Sequence, residues 1–351
     1  MKVLIVKLSS LGDVIQTTPV VNDLQRCVPG VSIDWVVEEG FADLLSRVNG
    51  LQRVIPCAQR RWRKTPFASD TRQAWRDFWH TLREEAYDAV IDFQGLVKSA
   101  YVARGARLNA GGFSVTYGNA SDLCAYEWPV KWLLKKTVPM EKTIHAVARY
   151  RTLAARALGY EHTGVLQQLP SYPFVTAAAH ARRGVMLAHG TTRADNEWPL
   201  AHWVGLAEKI IAQGQTVCVP HASEREWQFA QDLKAQLGEA VQVLPRLSLA
   251  QVCDAMSQCQ GVVSVDSGLG HLAVALNLPV VQLFSQPRIQ RAGPVGVAPN
   301  VPSVVTMCQR SMKPGRPGAA AWTCCHDAFA LHPAGVVDAT LVASQIASPQ
   351  P

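Results

Sequence analysis

The stretch 261-GVVSVDSGLGHLAVALNLPVV-281 decides how the chain is read. Residues 262–265 form a short apolar, β-branched run that reads as a buried strand. Asp266-Ser267-Gly268 makes a turn, and an apolar, alanine-rich run over 271–278 reads as a helix stopped by Asn277-Leu278-Pro279. Residues 280–284 read as a second buried strand. A strand that delivers a glycine-containing turn into a helix N-terminus leaves backbone N–H groups and the positive end of the helix dipole facing the turn, which is an anion site. By itself the corner is equally an ordinary capped strand–turn–helix, with Asp266 or Ser267 as the cap. A second corner of the same kind near the start of the chain gives it weight.

That second corner begins with a strand at residues 2–8, followed by the turn Ser9-Ser10-Leu11-Gly12-Asp13. A helical pattern continues through Val14, Thr17, Val20, Val21, Leu24 and Val28, with Pro19 predicted to kink or restart it. Between the two corners β and α patterns alternate. Strands are predicted near 32–37, 53–55 and 88–92; helices near 41–48, 95–104 and 145–158, with one more carrying Trp75, Phe78, Trp79 and Leu82 on one face. Residues 117–139 have weak periodicity. Residues 164–183, with Pro170 and Pro173, shift in composition and are read as the join between two halves. Alternation then restarts, with strands near 184–189, 216–219 and 241–244 and helices near 203–212, 224–237 and 249–257.

The pattern predicts an α/β protein of two Rossmann-like, doubly wound domains with parallel sheets, at 1–168 and 169–351. Ligands of such sheets sit beyond the carboxyl ends of the strands, where both corners lie, and a cleft faced by the two domains is the expected active site. A last helix at about 333–347 is expected to pack back on the first domain, and 314–318 reads as a loop.

Composition agrees with large buried cores: 48% of the 351 residues are hydrophobic and 17% charged. No uninterrupted apolar run is long enough to span a bilayer, and residues 1–6 are too short for a signal-peptide core. The nine cysteines are scattered, without a Cys-x-x-Cys pair, which suits reduced thiols and a cytoplasmic setting. Cys324-Cys325-His326 is a poor metal set for want of workable spacing. The formal charge is +7; from Gln52 to Arg151 there are 17 Lys and Arg against 9 Asp and Glu, a local excess of +8. That half therefore suits an anionic partner, or is simply a solvated face. It carries no helix-turn-helix, zinc-finger or RNP pattern, so nucleic acid is not expected as a partner.

With those residues in view, the chain resembles the ADP-heptose glycosyltransferase family. The matching pieces are Lys7-Leu8-Ser9-Ser10-Leu11-Gly12-Asp13-Val14 with Thr18-Pro19, and Arg60-Arg61-Trp62-Arg63-Lys64. They continue with Ile91-Asp92-Phe93-Gln94-Gly95-Leu96-Val97-Lys98-Ser99, Thr191-Thr192-Arg193 with Trp198-Pro199, and 264–272. Five pieces in the family's order span most of the chain. The second and third favour the family member that adds the first heptose over those acting later, which are the alternative.

The resemblance implies a GT-B type fold and transfer of heptose from ADP-heptose to the Kdo of Kdo–lipid A, with inversion. It implies a protein peripheral on the inner face of the cytoplasmic membrane. It makes Asp13 the general base; a helix N-terminus favours the carboxylate form and weakens it as a base, and the plain alternative is a structural first-turn Asp. Thr191, Thr192 and Arg193 would hold the donor diphosphate, or the threonines would simply cap a helix. Asp266 would accept heptose hydroxyls while Ser267, Gly268 and His271 line the diphosphate, His271 being otherwise a helix histidine turned inward. Glu226, with Glu224 as rival, would hold the ribose, the alternative being a solvated helix face. Ser10, Arg60, Arg61, Arg63, Lys64 and Lys98 would bind acceptor phosphates and carboxylates, for which Arg forks are suited. Trp62, Trp128 and Trp132 could rest among lipid headgroups, whereas Trp75 and Trp79 are expected in the core. One departure concerns Asn196, where the family commonly has Lys; Arg193 is the candidate to replace its charge.

The chain has no Asp-x-Asp motif, so neither a metal nor another cofactor is expected, and helix N-termini with basic side chains would stabilise the leaving group. Two other classes are weighed. A nicotinamide-dependent oxidoreductase needs Gly-x-Gly-x-x-Gly after the first strand, where this chain has Ser-Ser-Leu-Gly-Asp. A non-enzymatic binder of anionic lipid would bind the acceptor without turning over donor.

Overall fold

The computed structural model describes residues 1–122, 124–175, 183–193, 196–284, 292–293 and 295–296, and the backbone of strands at 305–309 and 322–324. The expected helix at about 333–347, the loop at 314–318, and Cys325 with His326 lie outside the described residues. The chain divides into two compact units, Met1–Val175 and Thr176–Pro351.

Unit 1 is a six-stranded sheet built from β1 (Lys2–Val6), β2 (Ser32–Glu38), β3 (Arg53–Cys57), β4 (Ala86–Asp92), β5 (Arg107–Tyr117) and β6 (Lys136–Val138). The order is β3-β2-β1-β4-β5-β6, and every pair is parallel. Side chains of β1 alternate between two cores, as a strand's period of two requires. Val3 and Ile5 enter one, with Val14 of α1 (Leu11–Thr17), Leu24 of α2 (Pro19–Cys27) and Leu153 of α8 (Ala146–Leu158). Leu4 and Val6 enter the other, with Phe78 and Leu82 of α5 (Ser69–Glu84) and Val102 of α6 (Val97–Gly105). Three short helices, α3 (Glu39–Leu45), α4 (Gln59–Trp62) and α7 (Val130–Leu133), complete the unit. The strand order reverses between β1 and β4, so the turns that follow them flank one crevice.

Pro19 restarts the helix: α1 ends at Thr17, Thr18 caps, and Pro19 opens α2 where its missing N–H costs nothing. Strands β5 and β6 were not expected. Asn109 and Gly111-Gly112 are weak strand formers, yet the sheet needs Gly112: a Cβ there would lie 2.7 Å from the Tyr87 carbonyl oxygen. The unit also runs further than position 168. The buried Arg151 guanidinium donates to both oxygens of Asp23, at 2.7 and 3.1 Å, and to the carbonyls of Val165 and Gln168. Asn49 N–H then donates to Pro173 O and Val175 N–H to Arg47 O, both at 2.7 Å. These bonds tie 165–175 to unit 1, so the division falls after Val175, not between Gln168 and Leu169.

Unit 2 is built from β7 (Val185–Ala188), β8 (Val217–Val219), β9 (Val241–Val243), β10 (Gly261–Val265), β11 (Val280–Phe284), β12 (Val305–Gln309) and β13 (Trp322–Cys324), in the order β13-β12-β11-β10-β7-β8-β9. It is parallel except for β13, an antiparallel edge. Val185 and Leu187 of β7 and Val263 and Val265 of β10 pack with Trp203, Leu206 and Ile210 of α9 (Leu200–Ala212) and with Ala230 and Leu233 of α10 (Glu224–Leu237). Helix α11 (Leu249–Ser257) precedes β10, and α12 (Gly268–Ala275) follows it. Asn277 takes a left-handed φ of 54° just beyond α12, a conformation that Asn tolerates better than most side chains. Here the order reverses between β7 and β10, so the Thr191 and Asp266 turns are neighbours.

Candidate active site

In unit 1 the turn after β1 is fixed from β4. The Gln94 side-chain carbonyl accepts from Leu8 N–H at 3.0 Å and Ser9 N–H at 3.1 Å. Gln94 is itself set by the buried Asp92 carboxylate, which accepts its N–H at 2.9 Å. Asp13 therefore enters the first turn of α1 from a held loop. One carboxylate oxygen accepts the Ser10 N–H at 3.0 Å and the Ser10 hydroxyl at 2.7 Å. The other accepts the Tyr150 hydroxyl at 2.7 Å and lies 3.7 Å from the Lys7 ammonium. Within unit 1 the Asp13 side chain remains 40% exposed while Lys7 is buried.

Burial pushes the Asp13 pKa up, but Lys7, Ser10 and Tyr150 outweigh it and bring it from 3.8 to about 2. Burial lowers the pKa of Lys7 against the pull of Asp13, and burial followed by Asp13 raises that of Tyr150, which stays a hydrogen-bond donor. Asp13 is thus ionised at neutral pH and weakly basic, with an accessible oxygen edge. Ser10, expected on the acceptor, here holds the carboxylate. Lys7, Tyr150 and Arg149 were missed. Arg149 is buried, stacks 3.6 Å from the Tyr117 ring centroid, and has no partner for Nε and Nη2 among the described residues. Only the fold brings α8 to α1, so no local signal marks these residues.

The basic stretch is less uniform than its sequence. Arg61 directs its fork at Glu39, at 3.1 and 3.0 Å. Arg60 lies over the Phe41 ring, and its N–H donates to Glu38. Lys64 is exposed. Arg63 and Lys98 come together on the lining of a cavity of about 920 Å³. Trp62 packs on Phe78 with centroids 5.5 Å apart, whereas Trp128 and Trp132 are exposed and meet edge to face. Trp79 is buried as expected; Trp75 is not. It rests edge-on against Trp79 at 5.8 Å and leaves its other side, 43% exposed, on the cavity.

In unit 2 the buried Asn196 amide donates to the Asp266 carboxylate at 3.2 Å and to its carbonyl at 3.4 Å, and Thr191 Oγ1 reaches the same carbonyl at 3.5 Å. Thr191 in turn accepts the Arg193 N–H at 3.3 Å, while Thr192 and Arg193 are exposed. Ser267 stands at the N-cap position of α12 with its hydroxyl 3.1 Å from that of Ser264, and Gly268 opens the helix. The Ser267 carbonyl accepts from Gln282, and His271 is buried within the helix. A Cβ on Gly270 would lie 2.7 Å from the Gln282 amide, so this glycine lets α12 approach β11.

Glu226 reaches this turn and the exposed Glu224 does not. One Glu226 oxygen accepts the N–H of Ala222 at 2.6 Å and of Ser223 at 3.4 Å, closing a capping box on α10. The other would sit 2.7 Å from a Cβ on Gly190, so only glycine admits it. Ser223-x-x-Glu226 is a capping-box signature legible in the sequence. Beside it the buried His189 stacks on Phe229, centroids 4.1 Å apart, with both ring nitrogens lacking partners among the described residues. Burial lowers its pKa against the pull of Glu226, which keeps the ring neutral. Among the described residues no helix is long and apolar enough to cross a membrane, and no group of three or more His, Cys, Asp or Glu is placed to hold a metal ion.

The profile of glycosyltransferase family 9 (heptosyltransferase) matches residues 75–317. The chain is similar to lipopolysaccharide heptosyltransferase 1 of Pseudomonas aeruginosa, 40% identical over 295 residues that cover 81% of this chain and 78% of that protein. Among solved structures it is similar to the E. coli heptosyltransferase WaaC with ADP, at a TM-score of 0.73 and 36% identity, covering 84% of this chain and 91% of that one. The same enzyme with ADP-2-deoxy-2-fluoro heptose gives a TM-score of 0.69 at 36% identity, over 81% of this chain and 89% of that one.

Proposed function

The chain belongs to glycosyltransferase family 9, the heptosyltransferases, and from that premise we propose that it transfers L-glycero-D-manno-heptose from ADP-heptose to the Kdo of Kdo–lipid A. The product is the first heptose of the lipopolysaccharide inner core, made with inversion. The observation that carries the reading is the Asp13 carboxylate, held ionised by Lys7, Tyr150 and Ser10 at the carboxyl end of β1 and still open along one edge.

Asp13 takes the proton of the acceptor hydroxyl as that oxygen attacks the anomeric carbon from the face opposite ADP. A base this acidic accepts the proton only as the new bond forms, so much of the acceleration comes from alignment and from stabilising the leaving diphosphate. In unit 2, Arg193, Thr191 and Thr192 with the α12 N-terminus at Ser267 and Gly268, and His271 behind them, hold the diphosphate. Asp266, oriented by Asn196, accepts heptose hydroxyls, and the Glu226 oxygen over Gly190 takes the ribose. In unit 1, Arg60, Arg61, Arg63, Lys64 and Lys98 take the acceptor anions, joined by Nε and Nη2 of Arg149, which lack partners among the described residues, while Ser10 stays on Asp13. Trp128 and Trp132 rest at the inner face of the cytoplasmic membrane, where amphipathic rings are favoured.

The test is incubation with ADP-heptose and Kdo–lipid A, monitored by ADP release and by a mass gain of one heptose on the acceptor. Parallel reactions use UDP- and GDP-sugars. Turnover of another nucleotide sugar in preference, or acceptor binding without ADP release, overturns the proposal.

A further inference from the structure

The cavity of about 920 Å³ in unit 1 lies between α5, α6 and the segment that joins α4 to α5. Its size is at the upper end of the roughly 300–1,000 Å³ usual for small-ligand pockets. The walls are apolar and aromatic: Trp62, Pro66, Trp75, Leu96, Val97 and Tyr101. Three of these stand unusually open for their type, Trp75 at 43%, Val97 at 39% and Tyr101 at 51%. Arg63, Arg72 and Lys98 share the lining against one carboxylate, Glu127, which already accepts the Val97 N–H at 2.6 Å. An apolar chamber edged by three cations complements a molecule with a hydrocarbon part and anionic groups close to it.

We propose that this cavity takes a hydrocarbon chain of the lipid acceptor, with Arg63 and Lys98 at the anionic groups from which that chain leaves. The inference rests on the reading of Arg63 and Lys98 as acceptor-binding residues and adds a subsite for the acyl portion. Burial of the chain against Trp75 and Tyr101 removes apolar surface on both partners from water, which favours an acylated over a deacylated acceptor.

The experiment uses the full chain and the double variant Val97→Gln/Tyr101→Gln, whose side chains are exposed, neutral and outside the Asp13 site. Steady-state KM is measured for acylated Kdo–lipid A and for its fully deacylated counterpart, both in the same detergent. The double variant is expected to raise KM for the acylated acceptor about tenfold and to leave that for the deacylated acceptor within about twofold. Equal shifts for both acceptors, or none for either, overturn the subsite. Loss of binding to anionic phospholipid vesicles with an unchanged ratio of the two KM values makes the surface a bilayer contact and also overturns it. A wild-type chain that turns over neither acceptor defeats the functional reading itself, a distinct result.

Discussion

The turns after β1 and β10 look alike in sequence, each a strand running into an Asp-bearing corner and a helix, yet they hold their carboxylates differently. Asp13 is bound by an ammonium, a phenol and a serine, and is driven down to about 2. Asp266 receives a neutral amide, Asn196, on its carboxylate. A carboxylate that meets a proton in flight must be ionised and aimed. Under the proposed roles, a carboxylate that holds sugar hydroxyls needs orientation, to which the Asn196 amide contributes. Local sequence writes the corner; partners far along the chain write its chemistry.

The sharpest way to break this contrast is to remove each carboxylate in turn. Asp13→Ala is expected to lower kcat about a hundred- to ten-thousand-fold while ADP affinity, measured calorimetrically, stays within about twofold. Asp266→Ala is expected to weaken donor binding as well as turnover. If Asp13→Ala keeps its kcat, the two corners do not divide the labour in this way.

Asn196 gives the next largest effect. Replacing it by Lys places a cation beside Asp266 and the proposed diphosphate site, and donor affinity is expected to rise about tenfold. Asn196→Ala, which removes the amide from the Asp266 carboxylate, is expected to cost a few-fold. Unchanged affinity in Asn196→Lys assigns the leaving-group charge to Arg193 and the α12 N-terminus.

How much of this was legible follows from the range of the forces. Period-two and 3.6-residue patterns marked β1, α8, β10 and most helices, and the Gln94–Ser99 piece was recognisable; its work, holding Leu8 and Ser9 through Gln94, was not. Strand β5 escaped because Asn109, Gly111 and Gly112 read as loop, while the need for Gly112 arises from Tyr87 on another strand. The pairing of Arg61 with Glu39 is equally silent in a run that reads as uniformly basic. Asp13 could be named as the candidate base, but Tyr150, which sets its state, joins it only through the packing of α8 on α1.

Tyr150→Phe probes that link with a smaller change. Its hydroxyl helps depress the Asp13 pKa, so removing it raises that pKa toward 3.8, the ordinary value from which Asp13 departs. The acid limb of kcat/KM is expected to move to higher pH by a fraction of a unit, and at pH 7, where Asp13 is ionised in both proteins, activity is expected to fall about fivefold from lost aim, the worth of one hydrogen bond. A limb that moves downward, or a loss confined to KM, removes Tyr150 from the positioning role.

The smallest effect separates Arg61 from Arg63. Uniform basicity predicts equal losses of acceptor affinity on Arg→Ala replacement. The structure predicts otherwise. The Arg61 fork is closed on Glu39 in an exposed ion pair worth little to stability, and an acceptor anion must compete with that carboxylate for it. Arg63 faces the cavity beside Lys98. Arg63→Ala is therefore expected to raise acceptor KM about fourfold and Arg61→Ala less than about twofold, with donor affinity unchanged in both. Glu39→Gln then decides the cause: if it lowers acceptor KM in wild type but not in Arg61→Ala, the ion pair is what holds Arg61 back, and if it does nothing, Arg61 lies outside the acceptor's reach.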